Sequence, residues 1–210
     1  MIVTPSVAAE EQIIEVDGLP IRYLEAGTGP PLVLLHGAGD NALDWRWVIP
    51  NLAATHRVYA PDLPGSPDSA RPAADYSPAF FERFIAAFVD ALEIGRATFI
   101  GNSFGGLIAL RLALSPGYLE AHLTVLRALV DPGGQREVLV NRLPSLKIPT
   151  LVVWGARDRV FPESQAREAS IHLQDGSLAL ISDCGHMPHV ECPERFMAAL
   201  GEFLGRQVHH

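Results

Sequence analysis

The sequence predicts an α/β fold: one mostly parallel sheet with helices on both faces. Two observations predict it. Short β-prone apolar runs alternate with longer segments of helical spacing along the 210 residues, with no internal repeat or low-complexity tract to interrupt them. The composition, 48% hydrophobic and 19% charged, is that of a chain able to bury a core, and its length fits a single domain over residues 1–210. The formal charge of -8, with 16 basic and 24 acidic residues, offers no footprint for nucleic acid or an anionic membrane, so a small molecule is the expected partner.

The elements follow in chain order. Gln12 to Val16 and Ile21 to Glu25 flank Asp17-Gly18, a pair that supplies positive φ, so they read as an antiparallel hairpin. Leu32 to Leu35 is apolar throughout, as a strand covered on both faces must be. A helix is expected over Ala42 to Ala54 and a strand over His56 to Ala60. Ser77-Pro78 reads as cap and first residue of a helix whose stripe runs from Phe80 and Phe81 to Leu92. Ala97 to Ile100 is the next strand, Gly101 to Gly105 a tight turn, and Gly106 to Leu114 a buried helix. Tyr118 to Leu129 has helical spacing, although Thr124 to Val130 can also be read as a strand, and a further helix is expected over Gln135 to Leu143. Thr150 to Trp154, Glu163 to His172, Leu178 to Ile181 and Pro193 to Leu204 close the chain as strand, helix, strand and helix.

Chemistry concentrates at the ends of these strands. Gly101-Asn102-Ser103-Phe104-Gly105 is a GxSxG pentapeptide between a strand and a helix, where glycines let neighbouring backbones close around a serine on a strained turn. The amides that open a helix have no intrahelical partner, so the Phe104 N–H can donate to an oxyanion formed by attack of Ser103. A serine nucleophile needs a base, and the base needs a carboxylate to orient it. Asp158 and His186 both follow strands, in the order Ser, Asp, His; Asp183 is a second carboxylate close to the histidine in sequence.

With these residues in place the chain resembles the α/β-hydrolase superfamily. His36-Gly37-Ala38-Gly39 resembles its HGxG loop, which implies that the Ala38 N–H is the second oxyanion donor. Asp62-Leu63-Pro64-Gly65 resembles DLPGxGxS, with Pro67 in place of the second glycine. Trp154 to Asp158 with Pro162 resembles WGxxDxxxP, and His186 with Glu191 and Pro193 resembles GHxxxxExP. The departure lies between Ser103 and Asp158, where capped members insert a strand and a helical lid; the expected core is therefore shortened in the middle, lacking a cap domain and one strand, with the acid strand paired beside the nucleophile strand.

The resemblance implies a carboxylester hydrolase without cofactor or metal: Ser103 as nucleophile, His186 as base, Asp158 as its anchor, and Ala38 and Phe104 as oxyanion donors. Gly-Asn-Ser-x-Gly-Gly, including Gly106, also resembles carbon-carbon bond hydrolases of ring-cleavage products, and a weakly active or inactive scaffold is the reading from a different class. His36 is expected to be structural, Trp45 and Trp47 to have no catalytic role, and His186 with His189 lacks a carboxylate pattern for zinc. Cys184 reads as a small buried residue and Cys192 as a helix cap; two cysteines without CxxC spacing, no signal-peptide pattern at the amino terminus and no bilayer-length apolar run suggest the cytoplasm. An apolar patch left by a missing lid would promote self-association.

Overall fold

The computed structural model describes residues 8–115, 122–125 and 139–207. β1 (Glu10–Val16) and β2 (Leu19–Ala26) pair antiparallel around Asp17 (φ 50°) and Gly18 (φ 76°), as the turn pair predicts. β2 then pairs antiparallel with β4 (Arg57–Pro61), and β4 parallel with β3 (Pro31–Leu35). β3 pairs parallel with β5 (Thr98–Gly101) and β5 parallel with β6 (His122–Val125), giving the order β1-β2-β4-β3-β5-β6. β7 (Thr150–Gly155) and β8 (Gly176–Ile181) form a parallel pair of their own, with β7 lying beside β6.

Strand periodicity divides the core in two. Val33 and Leu35 of β3 and Val152 and Trp154 of β7 face one side, in a core shared with α2 (Pro78–Ala91), α3 (Phe104–Leu114) and, beside β7, α4 (Glu163–His172). Leu32, Leu34, Leu151 and Val153 face the other, against α6 (Pro193–Gln207) and the segment after β3. α2 begins as expected: the Ser77 hydroxyl accepts from the Phe80 amide, Pro78 takes the first turn, and Phe81, Phe84, Ile85, Phe88 and Val89 are buried. α4 (Glu163–His172) has the predicted bounds.

Three expectations are corrected. The helix over Ala42 to Ala54 is a 3-10 turn, Ala42–Trp47, followed by a single α-helical turn, α1 (Ile49–Leu52). Pro50 lacks an N–H and is accommodated in a first turn, so the regular helix starts anew around it. Next, residues 122–125 are not helical: β6 (His122–Val125) pairs parallel with β5, so the strand thought missing is present. The acid strand β7 therefore lies beyond β6 and not beside β5. Helical spacing of apolar residues was the wrong guide there, because an added strand satisfies the open edge of β5. The remaining residues of both readings, 118–121 and 126–130, lie outside the described residues, as do 135–138 of the next expected helix; residues 139–145 form a 3-10 turn, Leu139–Ser145.

The third correction concerns the cysteines. Cys184 and Cys192 are joined as a disulfide, with their α-carbons 6.1 Å apart, and so are not the free thiols expected of a reducing cytoplasm. Cys192 does occupy a cap: its carbonyl accepts from the Phe196 amide as α6 begins. α5 (Pro188–Glu191) precedes it.

One buried charge fastens the hairpin to the site loops. Asp62, fully buried after β4, accepts from Arg22 at 2.6 Å and from the Ala42 amide at 2.7 Å. Removing a carboxylate from such a pair strands the guanidinium and an amide, although Glu11 still compensates part of the Arg22 charge. We expect Asp62→Ala to lower unfolding stability by about 3 kcal/mol, read as a reduced urea midpoint with unchanged slope.

Candidate active site

The site is assembled at the carboxyl ends of β3, β5, β7 and β8. Between β5 and α3 the chain turns sharply, and Ser103 has φ 50° and ψ -116°, a strained conformation for a residue with a β-carbon. The turn is possible because α3 presses directly onto the end of β3. A β-carbon on Gly105 would lie 2.1 Å from the Leu35 carbonyl oxygen, and one on Gly101 would lie 2.4 Å from the Gly105 carbonyl. The Asn102 amide donates to Leu35 at 3.0 Å, so the elbow is bonded to β3 as well as packed against it.

The loop after β3 folds over this elbow. A β-carbon on Gly37 would meet Asn102 Nδ2 at 3.4 Å and Ser103 Cβ at 3.6 Å, which places the Ala38 loop beside the serine. Neither the Ala38 nor the Phe104 N–H donates to another described residue, so both remain available to a developing anion. His36 is structural, as expected: it is 2% exposed, its Nδ1 faces the Gly37 carbonyl at 2.8 Å, and its Nε2 accepts from the Leu63 amide at 2.9 Å. These bonds fix the neutral tautomer with hydrogen on Nδ1, and burial holds its pKa below the usual histidine value. The Ser66 hydroxyl reaches the same Nε2 at 3.2 Å, so the loop containing Pro67 still closes onto His36.

Asp158 and His186 are brought together. His186 Nδ1 stands 2.9 Å from Asp158 Oδ2, and the carboxylate, 1% exposed, also accepts from the Val160 and Phe161 amides at 2.7 and 3.1 Å. Burial works against the charged form of Asp158, but the imidazole and the two amides outweigh it and hold its pKa below the usual value. Nδ1–H donating to the carboxylate leaves Nε2 as an acceptor. Asp183 is paired with Arg157 instead, which decides between the two carboxylates near the histidine. Among the described residues no hydrogen bond joins Ser103 to His186.

Two groups bear on the site more than their sequence positions suggest. Asp40 is partly buried and packs on Gly37; burial, followed by the like charge of Asp44, raises its pKa, while His186 opposes the shift. Nothing in the spacing marks it except its place directly after the HGAG loop. Glu191 accepts from the Gly185 amide at 3.0 Å through one oxygen and from the Met187 amide at 2.8 Å through the other. Its carboxylate thus grips the backbone on both sides of His186, while the Cys184–Cys192 disulfide closes the same loop. Trp45 is buried and stacks on His189 at 4.1 Å, whereas Trp47 is exposed.

A model of the alpha/beta hydrolase fold matches residues 30–117. The 2-hydroxy-6-oxo-6-(2'-aminophenyl)hexa-2,4-dienoic acid hydrolase of Metapseudomonas resinovorans is 28% identical over 266 residues, covering 94% of this chain and 92% of that protein. That alignment is longer than this chain's 210 residues, so the relative carries residues for which this chain has no counterpart. A serine hydrolase involved in carbazole degradation superposes with a TM-score of 0.82 at 27% identity, covering 95% of this chain and all of that one. A bacterial membrane phospholipase A gives 0.83 at 26% identity over 94% of this chain and 86% of its own. The architecture of this chain is thus that of the alpha/beta hydrolase fold, with the family likeness in sequence falling on residues 30–117.

Glu191→Ala is expected to lower stability by about 1 kcal/mol and to speed hydrogen exchange at the Gly185 and Met187 amides, with Glu191→Gln intermediate because one acceptor oxygen remains. Asp158 supplies a pH signature. A carboxylate with a depressed folded pKa stabilises above its unfolded value near 3.8 and loses that contribution as pH falls through the folded value. Wild type should therefore exceed Asp158→Asn in thermal midpoint at pH 6, with the gap closing progressively below pH ~4.

Proposed function

We propose that the chain hydrolyses carboxylic esters through an acyl-enzyme, as a single core domain without a cap. Ser103 attacks the ester carbonyl while His186 Nε2 takes the hydroxyl proton, and Asp158 holds the imidazole in the required tautomer. The carbonyl oxygen becomes anionic between the Ala38 and Phe104 amides. The intermediate collapses, the carbon–oxygen bond breaks, and the alcohol leaves with the proton from His186. Water then adds to the acyl carbon with His186 again as base, releasing the acid and restoring the Ser103 hydroxyl.

What supports this reading is the Asp158–His186 bond together with an elbow serine whose two neighbouring amides are uncommitted. The phospholipase neighbour supports an ester substrate. The dienoic acid hydrolase relative favours a second reading, cleavage of a carbon-carbon bond in a ring-cleavage product by the same groups. Residence in the cytoplasm belongs to the expectation from cysteine count, and the disulfide does not favour it.

Fluorophosphonate labelling and p-nitrophenyl butyrate turnover test the assignment. Both are expected in wild type, with labelling abolished and turnover reduced roughly 10⁴-fold or more in Ser103→Ala. Faster turnover of a ring-cleavage dienol than of any short ester would select the second reading. A folded wild type that neither labels nor hydrolyses an activated ester would leave only an inactive scaffold.

A further inference from the structure

Beside the oxyanion loop lies a cavity of about 710 Å³, in the size range of small-molecule sites. Ala38 and Phe104 line it together with the apolar Leu63 and Phe81 and with Tyr76 and Arg71. Among the described residues no aspartate or glutamate lines it, although the chain as a whole carries a formal charge of -8. The one other basic side chain in the lining, His36, is held neutral by the bonds described above. Among the described residues of the lining Arg71 thus contributes the single formal charge, and no described carboxylate pairs with it.

The backbone on both sides of this arginine is anchored. The Ala70 carbonyl accepts from the Gly65 amide at 2.9 Å, and the Pro72 carbonyl accepts from the Tyr76 hydroxyl at 2.9 Å. The Tyr76 ring in turn packs on Gly65, where a β-carbon would meet it at 2.9 Å, and contacts the Phe80 and Phe81 rings. A guanidinium presented from such a fixed strap, in a cavity lined also by Leu63, Phe81 and the Ala38 and Phe104 positions, suits a planar anion on an apolar arm.

We infer that Arg71 is a specificity-determining residue that receives a carboxylate on one arm of the substrate, so that the preferred esters are anionic, with an apolar spacer between the scissile carbonyl and the charge. The inference rests on the ester-hydrolase reading for its kinetic test but not for its binding test. Arg71 is exposed and lies in a loop, so its replacement leaves the core untouched.

Two pairs of esters locate the arm: mono-p-nitrophenyl adipate against its methyl ester, and 4-(acetoxymethyl)benzoate against its methyl ester. Wild type should favour the anion in at least one pair by roughly ten- to a hundredfold in kcat/KM, chiefly through KM. Arg71→Leu should remove that preference while keeping turnover of the neutral ester, and Arg71→Lys should keep part of it. Calorimetry on Ser103→Ala with 4-phenylbutyrate against 4-phenylbutanamide reads the same selectivity without chemistry. Tighter carboxylate binding that vanishes on adding Arg71→Leu supports the subsite even if no ester is hydrolysed, in which case the hydrolase reading alone fails. Equal discrimination with and without Arg71, in kinetics or in calorimetry, overturns the proposal.

Discussion

Everything at this site depends on one intolerably close approach of backbones. α3 starts where β3 ends, with Gly105 so near the Leu35 carbonyl that a methyl group could not stand between them. That contact forces the chain from β5 into α3 through a turn too tight for ordinary dihedrals, and Ser103 carries the strain. The same contact sets the first amides of α3 beside the loop that leaves β3, so the positions of Ser103 and of the Ala38 and Phe104 amides are consequences of a single packing decision. The remaining sheet holds that decision in place, with alternate side chains of β3 committed to cores on opposite faces.

The polar groups around the elbow divide into those that fix loops and those left with spare capacity. Asp62 and His36 spend their hydrogen-bonding atoms on backbone amides and on Arg22, and they belong to the scaffold. Asp158 spends one oxygen on amides and the other on His186, which both orients the ring and keeps the carboxyl charged. Glu191 performs the equivalent service for the backbone of the histidine loop. The imidazole is thus positioned from its side chain and from its main chain at once, the kind of support that a precise constellation requires.

Much of this was legible in the residues because the signals were local. Asp17-Gly18, Ser77-Pro78 and the apolar runs of β3 and β7 each specify geometry within a few residues, and each element formed as read. GxSxG and the loops after β7 and β8 likewise announced themselves by type and place. What escaped was set at long range. Residues 122–125 became a strand because β5 offered an edge to pair with, which helical spacing cannot reveal. Cys184 and Cys192 met because α5 doubles back, and Pro50 broke a helix that apolar periodicity alone had drawn through it. Asp40 and the amide grip of Glu191 depend on where loops fold, so sequence showed the residues without their partners.

Among the described residues the parallel pair β7 and β8 exchanges no ladder bonds with the six-stranded sheet, yet Asp158 follows the one strand and His186 the other. Acid and imidazole are therefore mounted on a common plate, separated from the serine's plate by the seam between β6 and β7. Any slip along that seam changes the gap to the hydroxyl and leaves the carboxylate–imidazole bond intact. The Asp158–His186 bond and the separation of that pair from Ser103 are, in this architecture, mechanically distinct.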